Sequence, residues 1–445
     1  MIVEKAIKTQ PMVIQLGPSH PAMHGTIKIV VELDGEVVTR ADVEIGYLHR
    51  AFEKHCEEGT YFQAIPYTDR LNYVSPMICN FGYGMGVEKL LGIQVTERCE
   101  FIRLIMSEIS RVSDHLTSVG ASAMELGAMT AFLYMIKARE FFWELIEAAC
   151  GARVTVAFVR IGGVKADLPE GFGEKARRAI SEVRQTLKEV DGLLTKNPIF
   201  TDRMQGVGAI TTADAVSYGF TGPLLRACGV NYDVRKYQPY HVYDRLNFDV
   251  PTGSNGDNYD RYLVRMQEIE QSLRLIEQAL AKIPPGPINV DLEGRVMAAS
   301  EMTDRGKLGD TQGLTDYRAF LSPNLQGMEK SRYQLNNTTD KNVALPPKES
   351  VYTSIEGLMN HFKLVMLGHG IRPPQGEVYS AVEGANGEFG FYMVSDGSDR
   401  PYRVHVRAPC FPLMAALHRM IEGGMVADIV PTFGSINMIG GELDR

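Results

Sequence analysis

Apolar residues recur along the chain with two different periods, and each period predicts its own kind of element. Ile102, Ile105, Ile109, Val112, Leu116 and Val119 step by three and four, the spacing that lines one face of an α-helix. Ala176, Ile180, Val183, Leu187, Val190 and Leu194 repeat the pattern, as do Tyr262, Met266, Ile269, Leu273, Ile276 and Leu280. The segment Met124 to Cys150 is apolar on most sides, which predicts a further long helix at the centre of the molecule. Long helices with narrow seams predict a bundle core. Near the start, the β-branched runs of I-K-I-V-V-E-L-D-G-E-V-V (Ile27 to Val38) flank the turn dipeptide Asp34-Gly35 and predict a hairpin.

The rhythm breaks between 284 and 350. Pro284-Pro285-Gly286-Pro287 ends a helix, and the polar stretch from Pro323 to Ser350 reads as a surface excursion. Order resumes with a predicted helix near Ser354 to Leu367. Strands follow around Glu377–Val382, Glu388–Ser395 and Tyr402–Ala408, with turns at Asn386-Gly387 and Asp396-Gly397, then a short helix over Pro412–Glu422. There is no internal repeat and no clear linker. The expectation is one α+β domain over 1–445, a central long-helix bundle with β-structure near both ends. Its parts are an N-terminal hairpin region (1–50), the bundle (51–285), the polar excursion (286–350) and an α/β C-terminal part (351–445).

Composition narrows the function. The 445 residues are 44% apolar and 22% charged, the mix of a soluble globular protein with a substantial core. A formal charge of -8 argues against nucleic acid as a partner. The N-terminal M-I-V-E-K-A-I-K-T-Q-P has neither a secretory nor a transit pattern, and no apolar run is long enough to span a bilayer. Membrane contact is therefore expected only through other subunits. The six cysteines are scattered without a C-x-x-C pair, which excludes a zinc ribbon or a compact iron–sulfur run and predicts buried, reduced thiols. Asn336 and Asn337 begin N-x-T triplets that carry no weight without a secretory signal. Gly306-Lys307 is not a P-loop, and Gly82, Gly84 and Gly86 alternate rather than forming a dinucleotide fingerprint.

Candidate chemistry sits in four places. The loop G17-P-S-H-P-A-M-H-G25 holds His20 and His24 four apart between glycines and prolines. It is either a rigid turn with satisfied histidines or a loop presenting one imidazole to a cavity, and it lacks the further ligands of a metal site. The run Gly46–His55 mixes Arg50 with two histidines and reads plainly as a solvated helix start. Glu125 lies in apolar surroundings, where a carboxylate must be paired, hydrogen-bonded or neutral. In D69-R-L-N-Y-V-S-P-M77 the phenol of Tyr73 stands at the mouth of a helix with no catalytic partner beside it.

Taken with I45-G-Y-L-H-R, L126-G-A-M-T, R160-I-G-G-V, Y218-G-F-T-G-P, N255-G-D-N-Y-D-R-Y and G387-E-F-G-F-Y-M-V-S-D-G, these stretches resemble one family from about residue 14 onward. That family is the quinone-site (49 kDa) subunit of respiratory complex I, the NADH–quinone oxidoreductase. It is related to the large subunit of nickel–iron hydrogenases, which binds its metals through two C-x-x-C pairs. In this chain Asn72, Ser75, Ile439 and Glu442 stand at those four places, and none is the thiolate that nickel requires.

The resemblance implies a quinone (menaquinone or ubiquinone) in the vacated cavity, with Tyr73 and His24 as its hydrogen-bond donors. The family's partner for that histidine is an aspartate, replaced here by the longer Glu125. Electrons are expected from a [4Fe–4S] cluster in a neighbouring subunit, with Arg50 beside it. Thr155 stands where the family often has a histidine. The expected partners are the cluster-bearing subunit, other peripheral-arm subunits and a membrane-arm subunit at the quinone entrance. The expected location is the cytoplasmic face of the bacterial inner membrane. Two alternatives stay open: the same subunit in a relative fed by ferredoxin or another carrier, and a scaffold that has lost the site.

Overall fold

The computed structural model describes residues 11–290, 343, 345–346, 348–366 and 368–445. Most of the polar excursion lies outside the described residues, as do Asn336, Asn337 and Leu367.

Strands β1 (Met12–Leu16), β2 (Lys28–Asp34) and β3 (Val37–Glu44) form an antiparallel sheet in that order. The expected hairpin is β2–β3, with Gly35 at φ +65° in its turn, a conformation glycine enters without a Cβ penalty. Ile29, Val31 and Leu33 alternate inward along β2. Strand β1 was not legible, because Met12 and Val13 are both exposed and no in–out alternation marks it.

Helices α1 (Phe52–Glu58), α2 (Tyr61–Thr68) and α3 (Pro76–Leu91) lead to α4 (Glu97–Glu125), α5 (Met129–Cys150) and α6 (Phe172–Leu194). Between α5 and α6, β4 (Val159–Arg160) and β5 (Gly163–Val164) pair as a short ribbon. Four short helices, α7 (Pro198–Met204), α8 (Thr212–Ser217), α9 (Gly222–Ala227) and α10 (Val234–Tyr237), precede α11 (Asn258–Lys282). The alternating Gly82, Gly84 and Gly86 of α3 give the strands room: a Cβ on Gly84 would stand 2.6 Å from Val159 Cγ2, and one on Gly82 3.0 Å from Val382 Cγ2.

Two expectations about the bundle need correction. Met124 to Cys150 is not one helix: α4 ends at Glu125, Gly127 turns at φ +87°, and α5 starts at Met129. Nor is α5 central, since Met129, Leu133 and Tyr134 are exposed along it. The centre is α4, packed against α5, α11 and the helix Ile429–Ile436. Residues 101–116 of α4 are all buried, so its apparent polar face carries Arg103, Glu108, Arg111, Asp114 and His115 into the interior. Each must therefore be paired, which is how the buried charge is tolerated. Glu88 and Arg103 form two hydrogen bonds of 2.6 and 2.8 Å. Arg226 bridges Glu268 and Glu383 at 2.7 and 2.8 Å, and Glu268 also meets His115 Nε2 at 2.9 Å.

The C-terminal part is an antiparallel meander of β6 (Gly376–Glu383), β7 (Glu388–Ser395) and β8 (Arg403–Arg407), with Glu383 facing Glu388 across the Asn386-Gly387 turn. The expected helix Pro412–Glu422 is two, Cys410–Ala415 and Leu417–Ile421, followed by Ile429–Ile436 and Gly440–Asp444. Two apolar clusters result. The larger surrounds α3, α4, α5 and α11 with β6–β8, and the smaller joins the N-terminal sheet to the C-terminal helices, with Tyr73 and Val74 on its margin. Among the described residues, no helix is long and apolar enough to cross a membrane.

Candidate functional site

The histidine loop folds as a single turn of 3₁₀-helix, Pro21–Met23, and gives its two imidazoles different work. His20 Nδ1 accepts the Ala22 N–H at 3.2 Å, so this ring is used in capping the turn. His24 ends the turn in the left-handed region, φ +54°, and its Nε2 lies 3.3 Å from Glu125 Oε1. The His24 ring also sits 5.6 Å from that of Phe433. The pair straddles a boundary, the His24 side chain being 41% exposed and that of Glu125 only 6%. Glu125 reaches this place because α4 ends there, and its second oxygen, Oε2, is buried without a hydrogen-bond partner.

Tyr73 lies in the connection from α2 to α3. Asn72 shapes that connection, its Oδ1 accepting the N–H groups of Val74 and Ser75 at 3.2 and 3.1 Å, the local turn that asparagine favours. Burial pushes the Tyr73 phenol above its ordinary pKa, and nearby Cys410, Glu442 and Asp114 add to the effect. The Gly440 backbone N–H pulls weakly the other way. The hydroxyl is therefore a proton carrier at neutral pH, able to donate.

Behind Tyr73 lies a buried polar cluster that the sequence did not reveal. Asp114 accepts from Ser75 Oγ at 2.7 Å and from Asn437 Nδ2 at 2.8 Å. Asn437 Nδ2 also donates to Asn386 Oδ1 at 2.8 Å, and Asn386 Nδ2 reaches Glu442 Oε1 at 3.5 Å. Glu442 Oε1 accepts the Cys410 N–H at 3.2 Å. The family resemblance sets Ser75 and Glu442 apart, at two of the places of the hydrogenase cysteines, but nothing in the sequence joins them to Asp114, Asn386, Cys410 and Asn437, which the fold brings in from distant segments.

Arg50 approaches the same C-terminal segment from another side. Its Nη2 donates to the Arg70 carbonyl at 2.8 Å, and its backbone N–H to the Arg445 carbonyl at 3.3 Å. The run Gly46–Arg50 is thus more than a solvated helix start. Asp444 accepts the N–H groups of Gly46 and Leu48 at 2.9 and 2.7 Å, and His49 Nδ1 meets the Asp444 carbonyl at 2.6 Å.

The segment Phe433–Arg445 is accordingly the common wall. His24 lies against Phe433, Tyr73 against Gly440, and Arg50 against Arg445. Thr155 stands apart, on an exposed loop at φ +51°, and no hydrogen bond or ion pair among the described residues joins it to His24, Tyr73 or Glu125. No cluster of three His, Cys, Asp or Glu side chains suited to a metal occurs among the described residues.

Known proteins share this sequence over nearly its full length. The model of the family described as respiratory-chain NADH dehydrogenase, 49 Kd subunit, matches residues 125–311 and 322–445. The D-type subunit of the NADH-quinone oxidoreductase of Myxococcus xanthus is 48% identical over 439 residues, covering 99% of this chain and 94% of that protein. The first D-type subunit of the Sorangium cellulosum enzyme is 48% identical over 443 residues, covering 99% and 97%. The combined C/D-type subunit of the Bdellovibrio bacteriovorus enzyme is 45% identical over 432 residues, covering 97% of this chain and 68% of the relative.

Proposed function

Since the chain belongs to the family of the 49 kDa subunit of respiratory-chain NADH dehydrogenase, we propose that His24, Tyr73 and Glu125 line the chamber in which its complex reduces quinone. The chain is a core subunit of NADH–quinone oxidoreductase. The observation that carries the reading is that the His24–Glu125 pair and the Tyr73 phenol border one C-terminal segment, the first at Phe433 and the second at Gly440, although the three residues are far apart in sequence.

A quinone that takes up two electrons needs two protons, and charge growing on its oxygens strengthens hydrogen bonds from a phenol and an imidazole. With Nε2 engaged by Glu125, Nδ1 of His24 is the nitrogen left for the quinone. Glu125 fixes the ring's orientation and offsets its charge when both nitrogens carry protons. Tyr73, held protonated, supplies the second donor.

The fold in this reading is that of the hydrogenase large subunit emptied of metal. Support comes from the Ser75–Asp114–Asn437 chain, which ties the segment holding Asn72 and Ser75 to the segment holding Ile439 and Glu442. Electrons come from the [4Fe–4S] cluster of a neighbouring peripheral-arm subunit. Arg50 lies on that side, where its fixed charge raises the cluster's potential. Thr155 cannot titrate near neutral pH, so the potential is low and nearly independent of pH, as suits menaquinone. A membrane-arm subunit stands at the quinone entrance, on the cytoplasmic side of the inner membrane, and the change of charge on reduction drives the membrane arm.

Replacing Tyr73 with Phe in the assembled complex tests the reading. Quinone reductase activity is expected to fall by about 100-fold or more with assembly intact. An unchanged rate would favour a scaffold without a working site.

A further inference from the structure

Glu442 is fully buried, and no ion pair among the described residues holds it. Its Oε1 is held by the Cys410 N–H at 3.2 Å and the Asn386 amide at 3.5 Å, while its Oε2 is buried with no hydrogen-bond partner at all. An ionised carboxylate would leave that oxygen stranded at a high cost, whereas a carboxylic acid places its proton there. The second carboxyl of the cluster, Asp114, is also fully buried and shares the Asn437–Asn386 link with Glu442. Two carboxyls so linked cannot both ionise cheaply, and of the two it is Asp114 that has a donor on each oxygen. Burial pushes the Glu442 carboxyl up to about 7, with Asp114 adding to the rise and Cys410 and Asn386 opposing it.

Tyr73 is near this acid without a hydrogen bond to it, because the helix that carries Glu442 packs on the segment leading to Tyr73: a Cβ on Gly441 would overlap the carbonyl oxygens of Arg70 and Leu71. The phenol lies against Gly440, two residues before Glu442 on the same short helix, and feels the charge of both Glu442 and Asp114. The other titratable groups around Glu442 are the thiols of Cys410 and Cys79, both raised by burial and by Glu442 itself. Two cations approach the cluster and are spent elsewhere. Arg50 Nη2 lies 3.1 Å from where a Cβ on Gly441 would stand, but it donates to the Arg70 carbonyl. Arg265 feels the charge of Asp114 and Cys410, but it donates to the carbonyls of Ser435 and Ile436.

We propose that Glu442 is the proton store behind Tyr73, returning a proton to the phenol oxygen after that hydroxyl has given its own to the reduced quinone. The inference rests on the role assigned to Tyr73 above. The Tyr73 O–H bond breaks as an O–H bond forms on the quinone, whose two electrons come from the neighbouring subunit. The Glu442 O–H bond then breaks as the Tyr73 O–H bond re-forms. The transfer runs downhill, because a phenolate is a far stronger base than a carboxylate. The remaining Glu442 anion keeps the Cys410 N–H and the Asn386 amide as donors until it takes a proton from solvent.

The pH dependence of quinone reductase activity in the purified complex tests this. Glu442→Gln keeps an acceptor for the Cys410 N–H but holds no transferable proton. Its turnover is expected to fall at least tenfold, and the inflection near pH 7 to disappear. Wild-type turnover with the inflection intact in Glu442→Gln, alongside an inactive Tyr73→Phe, overturns the proton store and leaves the quinone site standing. An active Tyr73→Phe overturns the site itself. Should Glu442→Gln not assemble, Glu442→Asp retains a titrating group, and its inflection is expected to move; an inflection at the wild-type pH there overturns the proposal.

Discussion

Gly434 lies so close to Glu125 that a methyl group on its α-carbon would overlap the carboxylate oxygen Oε2. The glycine sits inside the helix Ile429–Ile436 at an ordinary helical φ, so backbone freedom is not the reason for it. Space is the reason. Gly434→Ala should fold at least as well as the native chain, since alanine is favoured over glycine in a helix by roughly 1 kcal/mol. The carboxylate, the free end of a flexible side chain, must swing away from His24. Quinone reductase activity of Gly434→Ala is expected to fall as far as that of Glu125→Gln, with no loss of thermal stability. Wild-type activity in Gly434→Ala would mean that the His24–Glu125 contact is dispensable.

Thr155 holds a left-handed backbone, φ +51°, that a β-branched residue adopts only under strain. Asparagine and histidine tolerate that region better. Thr155→Asn is expected to stabilise the chain by about 1 kcal/mol, read as a rise in the urea midpoint at unchanged slope. In the assembled complex, Thr155→His is expected to give the cluster proposed for the neighbouring subunit a potential that falls with pH, and the native chain a nearly flat line. A steep slope in the native complex would remove threonine as the cause of pH independence.

The buried bridge at Glu268 and the surface bridge at Arg184 look alike in distance and differ in consequence. Glu268→Leu strands His115 in the interior, leaves Arg226 with Glu383 and Asp233 alone, and should cost about 3–5 kcal/mol. Arg184 makes four hydrogen bonds to Glu270 and Glu277, yet its side chain is 34% exposed, and Arg184→Ala should cost less than about 1 kcal/mol. Chemical denaturation of the two variants distinguishes them; equal losses would contradict the role given to burial.

His115 supplies a pH test. Burial holds its imidazole below the ordinary value of 6.5, with Glu268 pulling upward without prevailing. The unfolded chain therefore binds a proton that the folded chain resists, so the contribution of His115 is complete above pH 6.5 and is lost as pH falls below it. The stability difference between the native chain and His115→Gln is expected to shrink from pH 8 to pH 5. A difference that widens on acidification would show the folded imidazole to be charged.

The sequence made some of this legible and hid the rest for identifiable reasons. The β2–β3 hairpin stood out by its β-branched runs and strand β7 by its aromatic residues, each beside a turn dipeptide, and these are local signals. Glu125 was conspicuous as a charge in apolar surroundings, but the turn at Gly127 that separates α4 from α5 looked like one more small residue in a helix. The polar residues of α4 have the spacing of a solvated face, and only the packing of α5, α11 and Ile429–Ile436 around them reveals that they are interior. The cluster of Asp114, Asn386, Cys410, Asn437 and Glu442 is built from distant segments, and its members acquire meaning only from each other.

Asp114 and His115 are consecutive residues of α4, and so project about 100° apart around its axis. One is tied to the cluster behind Tyr73, the other to Glu268 and through it to Arg226. Any roll of α4 that eased a new charge beside Tyr73 would have to tear His115 from its partner in the deep interior. The helix is therefore pinned like a keel between two fastenings. On the reading proposed above, a redox event at its edge is answered by moving protons, because the frame that holds them has no freedom to turn.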